Sequence, residues 1–323
     1  MRRNLLAALA AAAALVLGTL GTTEARSSHW GETYIPNLPV VTQDGETLHF
    51  YDDLIKDKVI VISFIYTSCT DICPLTTARL VDVREKLGDA VGRDIFFISL
   101  TVDPERDTPE RLKAFADAFH IGDGPGWRFV TGKPEDIHLI NLRFGDRSAD
   151  RGLSDHRNEI VIGNGAIGDW TRNSVLGDLE QVVMDIRSMD PKGRDQVRVA
   201  SQAGGIDQMH TLSHQQGEAL FRKLCSSCHT VGVGDRVGPD LRGVTERRDA
   251  DWLTRFITNP AKVRASGDAA VAALVERFPG VRMPLLGLAE NAAADLVEYL
   301  RAQNTRLAVD EPSTSSPSDH HHH

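Results

Sequence analysis

The chain has 323 residues, more than one average domain, with 41% apolar and 25% charged residues, ordinary proportions for globular protein. A net charge of -9, and no Lys/Arg cluster interleaved with aromatic residues, argue against nucleic acid as a partner. Two domains are expected. The four cysteines form two close pairs, Cys69/Cys73 and Cys225/Cys228, about 150 residues apart, which leaves none to staple the domains together.

Met1-Arg2-Arg3, the Ala/Leu-rich run Leu5 to Leu20 and Thr23-Glu24-Ala25 have the layout of a secretory signal with its cleavage site, so residues 1–25 are expected to be a signal peptide and the mature protein periplasmic. The apolar run is shorter than the ~20 residues that span a bilayer, and an uncleaved membrane anchor is the alternative. Residues 29–190 then read as an α/β domain. Asn37 to Val41 and Thr47 to Phe50 flank Gln43-Asp44-Gly45, a hairpin signal. Val59 to Ile65, Ile95 to Val102 and Glu159 to Ile162 read as strands, whereas Pro74 to Leu87, Pro109 to His120, Pro134 to Asn141 and Leu176 to Met189 read as helices. This βαβ-rich order, with a cysteine pair after a central strand, predicts a thioredoxin-like fold.

Cys69 and Cys73 fall at the turn between the first of those strands and the helix that Pro74 starts. A helix N-terminus favours negative charge, so Cys73 is expected to form thiolate readily, making the pair reactive or metal-binding rather than a structural disulfide closing a tiny loop. Three residues lie between the thiols. Two thiolates and one imidazole satisfy Cu(I), whereas structural zinc needs a fourth ligand. The candidate imidazoles are His49, His120, His138 and His156; only His156 lies in a polar loop entering a strand. Phe64-Ile65-Tyr66-Thr67-Ser68-Cys69-Thr70-Asp71-Ile72-Cys73-Pro74, Ser99-Leu100-Thr101-Val102-Asp103-Pro104-Glu105-Arg106-Asp107-Thr108-Pro109 and Asp155-His156 together resemble the Sco/SenC copper proteins over roughly residues 32 to 188. The resemblance implies one copper, Cu(I) or Cu(II), held by Cys69, Cys73 and His156, and a role in assembling the dinuclear copper centre of cytochrome c oxidase. It also puts Asp103 near the site, although a turn or cap aspartate before Pro104 is an equal reading. The strand after the histidine departs from the family's Asp-x-x-Gly turn, reading Gly163-Asn164-Gly165, where Asn can serve.

Residues 191–212 lose the apolar pattern and read as a linker. If flexible, roughly 20 residues span about 25 Å, so the domains are expected to meet often without tight docking. Residues 213–303 read as helical, over Ser213 to Cys225, Asp251 to Asn259, Ala269 to Phe278 and Glu290 to Ala302, with Ser213 as a cap and Pro260 after the second helix. Cys225-Ser226-Ser227-Cys228-His229 is the attachment signature of c-type haem. With Gly238-Pro239-Asp240-Leu241 and Met283-Pro284 it resembles class I cytochrome c, which implies one covalent haem c, with His229 and Met283 as axial ligands and Pro239 in the turn supporting the histidine. A zinc site or a redox Cys-x-x-Cys leaves those flanking segments unexplained, and His210 or His214 is the alternative to Met283. Residues 304–323 read as a disordered polar tail, its final His320 to His323 either native or part of a tag.

The function these features imply is a copper metallochaperone with an attached electron-transfer module, whose partner is the oxidase copper subunit or another copper-receiving protein. The rivals are a thiol-disulfide oxidoreductase, with Cys69 and Cys73 as its catalytic thiols acting on the recipient's cysteines, and a redox sensor.

Overall fold

The structure is a computed structural model that describes residues 30–70, 72–122, 124, 126–148, 152–153, 159–190 and 216–310. The proposed signal segment, linker, Ser213 cap, His156 and terminal histidines lie outside the described residues.

Val59–Ile65 is buried at every position, as a strand covered on both faces requires, and it forms β3 at the heart of the first domain. Around it, β1 (Pro39–Thr42), β2 (Thr47–His49), β4 (Ile95–Thr101), β5 (Trp127–Thr131), β6 (Ile160–Asn164) and β7 (Asp169–Asn173) complete a sheet of order β2-β1-β5-β4-β3-β6-β7. The β3–β4 and β4–β5 pairs are parallel; the other four are antiparallel. The sheet is therefore mixed, and β5 and β7 are strands the sequence pattern did not disclose. Alternate β3 side chains feed two cores. Val59, Val61 and Ile65 pack beneath α1 (Ile72–Leu87), α2 (Pro109–Ala118) and α4 (Leu179–Met189). Ile60, Ile62 and Phe64 pack on the other face, with α3 (Pro134–Arg143) and the helical turn Phe50–Ile55. Asn164 does serve the turn after β6: its side chain accepts from Ala166 N at 2.9 Å and donates to the Met189 carbonyl at 2.8 Å.

The second domain is helical: α5 (Gln216–Leu220), continued by a wider turn over Phe221–Cys225, then α6 (Val244–Arg247), α7 (Ala250–Thr258), α8 (Pro260–Ala265), α9 (Ala269–Arg277) and α10 (Glu290–Asp310). Phe221, Leu253, Ile257, Leu296, Val297 and Leu300 form its core. Pro260 opens α8 rather than simply following a helix end; Asn259 caps it by accepting from Lys262 N at 2.9 Å. The tail expected to lose structure from residue 304 instead continues α10 to Asp310. Buried Asn304 ties it down, accepting from Gly243 N at 2.8 Å and donating to Thr245 Oγ1 at 3.0 Å. The domains are also docked, contrary to the expectation of a loose tether. Val237 is buried in the core beneath α1, and Cys228 and Val281 pack against it.

Candidate metal and cofactor sites

β3 delivers the chain to a tight turn, Tyr66 to Thr70, closed by Cys69 N donating to the Tyr66 carbonyl at 3.1 Å. Cys73 follows in the first turn of α1, its N–H 3.4 Å from Cys69 Sγ. Both side chains are buried and both are thiols. The sequence-based expectation of a ready Cys73 thiolate is overturned. Its hydrogen bond with Cys69 and its burial push the thiol well above the ordinary cysteine value, outweighing the helix end. Cys73 is therefore held as a thiol.

The residue that shapes this turn is one the sequence pattern did not single out. Buried Asp107, just ahead of the Thr108 cap of α2, accepts from Thr67 N at 3.1 and 3.2 Å, from Thr67 Oγ1 at 2.5 Å and from Thr101 Oγ1 at 2.6 Å. Burial raises its carboxyl above the usual range, against these hydrogen bonds. Asp103, four residues earlier, has the turn role: it is paired with Arg106 Nη1 at 3.0 Å. Of the other candidates, His49 and His120 are exposed and His138 is half-buried on α3; His120 Nε2 lies 3.4 Å from the Arg236 carbonyl. Among the described residues no three His, Cys, Asp or Glu side chains cluster as a metal site. His156, the expected third copper ligand, lies outside the described residues.

In the second domain, one turn gathers the attachment motif: Cys228 N and His229 N both donate to the Cys225 carbonyl, at 3.0 and 2.9 Å. His229 Nδ1 lies 2.9 Å from the Pro239 carbonyl. A carbonyl only accepts, so Nδ1 carries the proton and Nε2 keeps its lone pair for a metal. Burial lowers the imidazole's pKa, which keeps it neutral. Gly238 is required beside it, because a Cβ there would stand 2.7 Å from His229 Cε1. Burial pushes the Cys225 and Cys228 thiols up to about 12. A cavity of ≈ 390 Å³ is lined by Cys225, Cys228, His229 and Met283, with Leu253 and Leu296 also in its wall. The Met283 carbonyl accepts from Arg264 Nη1 at 3.3 Å, fixing the Met-Pro segment. This apolar slot, with two thiols and an imidazole at one wall and a thioether in its lining, fits a covalently held haem.

The fold and sites thus define a thioredoxin-like domain with a buried cysteine pair, followed by a small helical cytochrome c domain. Residues 32–163 match the SCO1/SenC family model and residues 214–304 the cytochrome c family model. The chain thus carries a SCO1/SenC domain followed by a cytochrome c domain. It is 39% identical to the SCO1 protein homolog of Bacillus subtilis over 90 residues, 28% of this chain and 45% of that protein. A SCO1/SenC family lipoprotein from Bacillus anthracis aligns at 26% identity and TM-score 0.42, covering 50% of this chain and 95% of the other. The cytochrome c domain of the pp3183 protein from Pseudomonas putida aligns at 37% identity and TM-score 0.28, covering 31% and 99%. The chain spans about half the length of the curated relatives it matches. Relatives from Arabidopsis thaliana, Bradyrhizobium japonicum and yeast have been solved with copper bound. No helix among the described residues is long and apolar enough to cross a membrane.

Proposed function

We propose that this chain is a periplasmic copper metallochaperone serving the dinuclear copper centre of cytochrome c oxidase, and that its cytochrome domain exchanges electrons with the Cys69/Cys73 site. One observation carries the reading: the helix that begins at the thiol turn also packs against the turn holding Cys228, and its Pro74 lines the haem cavity.

Copper is cargo here. Cys73 waits as a thiol in a buried turn beside Cys69, so its sulfur–copper bond would release a proton to water on forming, and His156 would complete the set as the third ligand. Asp107 holds Thr67, and with it the loop that presents Cys69. In the second domain, Cys225 and Cys228 would provide the two thioether attachments of a haem, and His229 Nε2 and the Met283 thioether would be its ligands. A haem held there supplies one-electron exchange. That stoichiometry favours copper over the dithiol as its counterpart: Cu(I) gives up one electron on becoming Cu(II), whereas closing Cys69/Cys73 to a disulfide releases two electrons and two protons. A haem held by His229 and Met283 would lie high in the haem range, above protein dithiols at about -120 to -270 mV, so the thiol or copper site would be the donor and the cytochrome the acceptor.

The test is transfer of Cu(I) from the loaded, haem-containing protein to an apo copper subunit, with the recipient's cysteines either reduced or joined. Delivery to the reduced recipient is expected. Copper-free reduction of the joined recipient, without delivery, would establish the thiol-disulfide oxidoreductase in its place.

A further inference from the structure

A stripe of polar residues along α1 meets the cytochrome domain. Arg79, Asp82 and Glu85 recur every three residues, the spacing that puts them on one side of a helix. The Arg236 guanidinium bridges to them, with Nη2 2.8 Å from Asp82 Oδ1 and 3.0 Å from Glu85 Oε2. Its Nη1 donates to the Ser226 carbonyl at 3.0 Å, inside the attachment motif itself. Ser227 Oγ donates to Asp82 Oδ2 at 2.5 Å. Arg79, only 3% exposed, donates through Nη1 to the Lys223 carbonyl and through Nη2 to the Gly177 carbonyl at 2.7 Å, so it ties the attachment turn to the first domain's own loop. The contacts are specific: Asp82 has a partner within Cys225–His229 and Arg79 one just before it, Glu85 is held through Arg236, and Val237 and Cys228 pack with the apolar core beneath α1.

We propose that Arg79, Asp82 and Glu85 form a built-in docking face for the haem-attachment turn, clamped by Arg236 and Ser227, which sets Pro74, next to Cys73 on the same helix, into the wall of the cavity. The assignment deepens the electron-exchange reading above and rests on it for its purpose, but not for its geometry. In the docked state one electron leaves Cu(I), which becomes Cu(II), and reduces the ferric cytochrome within the molecule, with no proton transfer and no diffusing partner. Arg236 makes the clamp selective. It crosses the interface as a partly buried cation against two carboxylates, an arrangement that suits register and orientation more than raw affinity.

The experiment uses the full, haem-loaded chain. Arg236→Glu, Asp82→Arg with Glu85→Arg, and the swap pairing Asp82→Arg with Arg236→Asp are compared with wild type by small-angle scattering, and folding is checked by circular dichroism and the haem spectrum. The first two are expected to enlarge the radius of gyration and the swap to restore it; electron exchange from bound Cu(I) should slow at least tenfold in the first two and recover in the third. Should Arg236→Glu fail to fold, the α1 variant carries the test from the other side of the interface. An unchanged radius in every folded variant overturns the docking face. Expansion with an unchanged rate upholds the face and overturns the electron-exchange reading alone.

Discussion

Asp107 reaches across 40 residues of chain to take both the backbone N–H and the hydroxyl of Thr67, so one buried carboxylate on the α2 side of the sheet sets the loop that presents Cys69. Asp107→Ala strands the Thr67 and Thr101 donors, and roughly 2–4 kcal/mol of stability should be lost, the usual cost of unpairing buried polar groups. Urea unfolding of the haem-loaded protein measures it. A loss under about 0.5 kcal/mol would show that the loop holds its shape without Asp107.

The same residue has a pH signature. Burial raises the Asp107 carboxyl in the folded state, so between the ordinary carboxylate range and that raised value the native protein binds more protons than the unfolded chain. Its contribution therefore favours folding in acid and is lost as pH rises through the window. Asp107→Asn removes the titration. Stability of wild type relative to Asp107→Asn should fall with rising pH across that window and then level off, measured as unfolding midpoints in a pH series; a flat difference means Asp107 titrates alike in both states.

Copper affinity should climb with pH, because Cys73 must surrender a proton that burial and its contact with Cys69 retain. One released proton corresponds to about a tenfold gain per pH unit under competition with a chelator that does not titrate. His156→Ala should weaken Cu(II) more than Cu(I), since two sulfurs alone still hold the softer ion. Measurements on protein lacking residues 304 to 323 would clip α10, so the truncation belongs after Asp310. Equal losses for the two oxidation states would remove His156 from the site.

Gly238→Ala should disturb the cytochrome without touching the copper site. The added methyl would lie 2.7 Å from His229 Cε1, forcing the ring away from its Pro239 anchor. Met283→Ala is the complementary change: attachment through Cys225 and Cys228 persists, while loss of the thioether lowers the reduction potential. Redox titration separates them. A wild-type potential and spectrum in Met283→Ala would make that methionine an ordinary lining residue.

Anaerobic loading of Cu(I) onto the oxidised protein should reduce the cytochrome at a rate independent of protein concentration. Stopped-flow absorbance over a tenfold range of protein distinguishes this from collisional transfer, whose rate would scale with concentration. Reduction that survives in Cys69→Ser/Cys73→Ser would place the donor elsewhere.

What the residues disclosed in advance follows from how local each signal is. β3 and α1 were legible because an unbroken apolar run and a proline-started helix mark themselves. The attachment motif was equally plain, since its two thiols and imidazole lie within one turn. β7 escaped notice because it is a polar edge strand, Asp-Trp-Thr-Arg-Asn, with no buried face to impose alternation. Asp103 and Asp107 look interchangeable four residues apart; only the fold, by bringing Thr67 and Thr101 to one of them, decides between turn and site. The Cys73 thiolate failed for the same reason, because burial is a tertiary property and the helix end a local one. Arg236 lies in a polar Gly-rich loop that carries no local sign of its pairing with Asp82 on α1.

Pro74, from the first domain, forms part of the wall of the second domain's cavity. Cutting the chain between the domains would therefore wet a surface that the intact molecule keeps dry. Water favours the more highly charged oxidised iron, so the cytochrome fragment alone should take up an electron less readily than it does in the whole protein. The redox character of this cytochrome is in that sense shared property, written partly in residues that no haem-binding motif contains.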